Sequence, residues 1–67
     1  MNARAPQALA GAIRKLPKSK RRAAIQFAES YFMTYLDKLN SFDDFSSRVN
    51  YDLAIDATVA ELEWVFH

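Results

Sequence analysis

The sequence predicts an all-α protein, a small bundle of three helices, or four, over approximately residues 6–16, 19–39 and 42–66, with a kink near 48–50. Three observations carry this. Apolar residues recur at helical spacing along most of the 67-residue chain. Gly occurs once and Pro twice, so there are few interruptions. No stretch alternates apolar and polar residues as a half-buried strand does.

The first helix begins near Pro6, whose missing N–H costs nothing in a first helical turn. Leu9, Ala12, Ile13 and Leu16 then share one face, and Arg14 and Lys15 in the last turn suit the helix dipole. Pro17 disfavours helical geometry at Leu16 and ends the element. In the second helix, Ala24, Ile25, Ala28, Tyr31, Phe32, Tyr35, Leu36 and Leu39 fall in one arc, leaving Phe27 and Met33 outside it. Ile25, Ala28, Phe32, Tyr35, Leu39 and Phe42 also keep a heptad-like spacing for under three heptads, too few to argue for a coiled coil.

Asn40-Ser41 breaks the pattern, and Ser41 followed by Asp43 and Asp44 reads as an N-cap with acids in the first turn. The tail is either one helix from Phe42 to Phe66 or a short helix and a longer one from Tyr51. Its wheel has two apolar faces. Tyr51, Ile55, Val59, Leu62, Val65 and Phe66 form one; Leu53, Ala57, Ala60 and Trp64 form the other; Asp52, Asp56 and Glu63 run between them. A helix apolar on two sides must contact two things.

Length sets a further constraint. A single domain over residues 1–67 has a small core, which supplies about 3–5 kcal/mol and favours a staple. Cys is absent and the one His is His67, which removes disulfides, thiolate chemistry and a protein-built zinc site. Oligomerisation is the staple that remains, and nine Phe, Tyr and Trp residues give it material. No apolar run has the length of a membrane span, and no apolar block follows the N-terminus as in a signal peptide. The expected location is cytoplasmic. The Arg-bearing, acid-free start also has the look of a mitochondrial transit peptide, a weaker reading than an ordinary first helix.

Nothing in the sequence points to an enzyme or a cofactor. The single Gly11 cannot make a phosphate loop, no Ser has a His in relay position, and the acid pairs Asp43/Asp44 and Glu61/Glu63 read as solvated helix faces.

Charge is the informative feature. The net value is +1, yet residues 1–22 carry seven cations and no acid, and residues 23–67 carry two cations against eight acids. Arg14, Lys15, Lys18, Lys20, Arg21 and Arg22 lie within nine positions. Cations at the start of a helix oppose its dipole by roughly 0.3–1 kcal/mol each. A break of a local preference is where functional pressure is sought, and phosphate backbones are the natural ligand for such a cluster. The alternative is that these cations are solvated or pair with Asp52, Asp56, Glu61 or Glu63. Phe27, Tyr31 and Tyr35, at i, i+4 and i+8, read as packing residues, with Phe27 near enough to the cations to stack on a base. The stretch LPKSKRRAAIQFAESY resembles the Leu-Pro-x-x-x-Arg helix starts of several small bacterial regulators and antitoxin-like proteins; it transfers no functional residue.

The sequence thus predicts a non-enzymatic binding or regulatory protein that acts through protein–protein contact as a homodimer. Its candidate interface is Phe27, Tyr31, Tyr35, Leu53, Trp64 and Phe66, with Trp64 buried against the first helix or in a subunit contact. The alternative is a small nucleic-acid-binding regulator using residues 14–22.

Overall fold

A computed structural model of the chain describes residues 4–42 and 46–66. They form three helices and no strand: α1 (Arg4–Arg14), α2 (Lys18–Phe42) and α3 (Ser47–Val65). The all-α bundle is as the sequence predicts, with three helices rather than four.

The boundaries have local causes. α1 closes by tightening, with the Leu16 N–H donating to the Ile13 carbonyl at 3.0 Å before Pro17. α2 then starts at once, the Lys20 N–H donating to the Pro17 carbonyl at 2.9 Å. Ser41 is not a cap. It lies in the last turn of α2, where its hydroxyl donates to the Lys38 carbonyl at 2.7 Å. The cap of α3 is Ser46, whose Oγ accepts from the Val49 N–H at 3.3 Å. The expected kink at 48–50 is absent, because α3 runs unbroken from Ser47. The first-turn role expected of Asp43 and Asp44 lies outside the described residues.

α3 packs against both other helices. Near one end of the pair Asn50 Nδ2 donates to Asn40 Oδ1 at 2.8 Å, and near the other the Phe66 ring meets Phe27 edge-on at 5.8 Å. α2 and α3 are therefore antiparallel. α1 runs with α3: Leu16 shares a core cluster with Leu62, and Leu9 shares a groove with Tyr51 and Ile55. At about 1.5 Å per residue α2 is about 37 Å long, close to the 38 Å long axis of the molecule.

The core is built from small side chains. Ala24 and Ala28 of α2 are buried, with Ala54, Ile55, Thr58 and Leu62 of α3 and Leu16 of the first turn. The buried face of α3 is thus rotated from the one its large residues suggest. Tyr51 and Val65 are exposed, while Asn50 and Thr58 are inside. Small residues win the interior because they let helix axes come close. Phe27, expected off the packed face, is half-buried against the core, and Ile25 is exposed.

Both interior polar side chains have partners, one only in part. Thr58 Oγ1 donates to the Ala54 carbonyl at 2.7 Å. Asn50, 2% exposed, has its amide donor on Asn40, but its own Oδ1 has no hydrogen-bond partner, nor does the buried Asp52 Oδ1. Replacing Asn50 by Asp removes the donor and sets a carboxylate against the Asn40 carbonyl oxygen. We expect Asn50→Asp to cost at least about 2 kcal/mol at pH 7, read from the urea midpoint. That carboxyl's folded pKa is raised, so the loss shrinks as pH falls through that raised value and is gone below the unfolded value near about 3.9. An unchanged midpoint at pH 7 would contradict this.

Candidate functional site

Three surfaces surround this core. The first is the basic turn between α1 and α2. Arg14, Lys15, Lys18, Lys20 and Arg22 are exposed there. Arg21 is not equivalent to them. Half-buried, it folds back over the end of α1, donating from Nε to the Leu16 carbonyl at 3.0 Å and from Nη2 to the Arg14 carbonyl at 2.9 Å. Those carbonyls belong to the end of α1, where helix geometry leaves acceptors without partners and the dipole is negative. The cation that sits badly at the start of α2 is therefore well placed for the end of α1. The apparent break of a local rule has, for Arg21, a compensation within the fold.

Among the described residues no Lys or Arg nitrogen lies within 4.0 Å of a carboxylate oxygen. Lys15 and Glu63 line one cleft between α1 and α3 with Ala12, Leu16 and Leu62.

The second surface is an aromatic ladder on α2. Phe27 and Tyr31 stack with centroids 5.7 Å apart, and Tyr31 and Tyr35 stack at 5.8 Å, the ring planes within 22° in both pairs. Spacing by four residues puts each ring over the next turn. Phe66 closes the Phe27 end. Phe27 is thereby held by Tyr31, Phe66 and the core, which leaves it poorly placed to stack on a base. Burial pushes the Tyr31 phenol above its ordinary value of 10.0, helped by the Glu61 carboxylate and by Tyr35. Tyr31, Thr34, Tyr35 and Lys38 line a shallow groove beside the ladder.

The third surface is the outer side of α3. Val49, Leu53, Ala57, Ala60 and Trp64 follow one another at steps of three or four residues, and so share a stripe. Trp64 is 83% exposed and Leu53 40%. Burial of Trp64 against the first helix, one of the two expectations from sequence, is overturned. The inner face of α3 already meets α1 and α2, and Trp64 lies on the opposite side. Glu61, one turn from Ala57 and close to Tyr31, joins the stripe to the ladder. Of the candidate interface residues, Leu53 and Trp64 belong to the stripe, and Phe27, Tyr31, Tyr35 and Phe66 to the ladder. Val49 extends the stripe by a turn, because α3 starts at Ser47 and not at Tyr51.

A fourth feature escaped the sequence. Leu9 and Ala10 of α1, Ile25, Ala28, Glu29 and Phe32 of α2, and Tyr51 and Ile55 of α3 line an open groove of about 330 Å³. No single helix carries its signature, because it forms only where three helices diverge. No helix among the described residues is long and apolar enough to cross a membrane.

The chain matches no family model, no curated protein and no solved structure.

The contrast among the cations is measurable. Arg21→Gln removes two hydrogen bonds from a charged donor to otherwise orphaned carbonyls and should lower stability by about 1–3 kcal/mol. Lys18→Gln, Lys20→Gln and Arg22→Gln, at exposed positions, should each stay within about 0.5 kcal/mol of the parent. Equal urea midpoints for all four variants would refute the assignment of Arg21 to the α1 terminus.

Proposed function

We propose that this chain is a non-enzymatic helical binding protein with a regulatory or adaptor role. It acts through protein–protein contact and assembles as a homodimer across the outer face of α3. The observation that carries this reading is the exposure of Trp64 at the end of a continuous apolar stripe. A large aromatic side chain gains most from burial, and large exposed apolar patches mark interaction surfaces. Aromatic anchors set in weaker contacts are the usual source of interface affinity. Closed two-fold assembly is the commonest way a single surface of this kind is covered.

Light scattering at micromolar concentration should give about twice the chain mass of 7.7 kDa. Trp64 emission should move to shorter wavelength as concentration rises and the indole leaves water. Trp64→Ala should weaken association by at least about 2 kcal/mol while leaving the far-UV circular dichroism of the monomer unchanged. A monomer at every concentration, with emission typical of a hydrated indole, would end this reading.

A second reading has its own observation: Arg14, Lys15, Lys18, Lys20 and Arg22 are exposed at one turn, and of these Lys15 shares a cleft with the Glu63 carboxylate. Such a cluster would hold phosphate backbones without reading sequence. Duplex DNA binding followed by anisotropy should then weaken linearly in log–log form as salt rises. The triple variant Lys18→Gln, Lys20→Gln, Arg22→Gln should reduce that slope by about three. No measurable binding at about 50 mM salt would exclude the reading.

A further inference from the structure

Resting on the homodimer reading above, we infer that the two copies pair through α3 in parallel and in register, with Lys38 of each copy set against Asp56 and Asp52 of the other. The stripe Val49–Leu53–Ala57–Ala60–Trp64 has its large members at the ends and two alanines in the middle. Two such helices can approach closely at the centre, toward the short end of about 8–10 Å between axes. Size alone fits either direction, because residues 53 and 64, like 57 and 60, also match each other in an antiparallel pair.

Charge decides the direction. At about 100° per residue, Asp52, Asp56 and Glu63 lie along the flank of the stripe away from the aromatic ladder. The opposite flank adjoins α2, where Lys38 lines the groove with Tyr31, Thr34 and Tyr35. The Asn40–Asn50 hydrogen bond fixes the level of the two antiparallel helices, so Lys38 comes level with about Asp52, one turn before the exposed Asp56. A two-fold axis along α3 sets each flank against the opposite flank of the second copy, so that Lys38 faces Asp52 and Asp56. A two-fold axis across α3 sets like flanks together, acids against acids. Complementary charges fix register and penalise the wrong orientation.

Glu61 is the one acid on the α2 flank, and in the parallel pair it comes level with Glu63 of the second copy. Glu63 shares its cleft with Lys15, which offsets that contact. The area is sufficient if the ladder joins the stripe. The molecule is 38 Å long and 21 Å across, so a face of that size approaches the ~800 Å² per partner of a standard interface.

The chain has no cysteine, so single-cysteine variants give an unambiguous readout. Leu53→Cys and Val49→Cys, whose masses are first checked by light scattering, should each form a covalent dimer with itself under mild oxidation. A disulfide needs Cα atoms within about 7 Å, and parallel pairing brings each site to its own copy. In an antiparallel pair two Leu53 positions are about 16 Å apart along the axis. Lys38→Glu should raise the dissociation constant about tenfold, and adding Asp56→Lys should restore it. A dimeric parent in which neither Leu53→Cys nor Val49→Cys joins itself, both variants staying dimeric, would overturn the parallel arrangement and leave the homodimer standing. A monomeric parent would defeat both.

Discussion

The close approach of α2 and α3 over small side chains is the constraint on which the rest of the structure depends. Ala24 and Ala28 on one helix and Ala54 and Thr58 on the other are almost fully buried, and none of them keeps a neighbouring helix at a distance. That packing has a consequence for the large residues. With the interior taken by alanines and a threonine, Leu62, Ile55 and Leu16 are the only bulky apolar side chains fully inside among the described residues. The others are left at the margins, where Phe27, Tyr31, Tyr35 and Phe66 stack on one another and Trp64 faces water. Burying a side chain of this kind is worth about 1.5–3 kcal/mol, and the exposed Ile25, Met33, Val49, Leu53, Trp64 and Val65 do not contribute it in the isolated fold. A binding function follows more readily from that imbalance than from any single motif.

The same packing organises charge. An up-down-up arrangement brings the end of α1, the start of α2 and the end of α3 to one pole. Two of those termini present carbonyls and one presents N–H groups, so the pole as a whole tolerates cations better than the start of α2 alone would. Arg21 uses this by crossing from one helix to the end of another. The remaining cations stay exposed around it. At the opposite pole the polar contact between Asn40 and Asn50 sets the level of α2 against α3. A part-buried polar pair of this sort contributes less to stability than to the choice of register.

Much of this was legible before any coordinates. Pro17 announces the break between α1 and α2, the apolar spacing gives the helices, and the two-sided wheel of residues 51–66 exposes the stripe through Leu53, Ala57, Ala60 and Trp64. The charge asymmetry is plain in the sequence as well. The errors fall where local signals compete. Ser41 and Ser46 are both credible caps, and only the length of α2 against α3 selects the second. Tyr51 and Val65 carry more hydrophobicity than Ala54 and Thr58, so a wheel weighted by apolar character turns α3 too far toward them.

By itself, then, the sequence determined the helical class, the number of helices to within one, and the two-faced character of the last, because periodicity and proline act within a few residues. Only the tertiary structure decided which face of α3 is inside, that Trp64 stays in water, and that Arg21 caps α1 while its neighbours remain exposed. Each of those outcomes depends on how closely two helices distant in sequence can pack. That distance is set by the smallest side chains at the crossing, which are the residues with the weakest signal in a sequence.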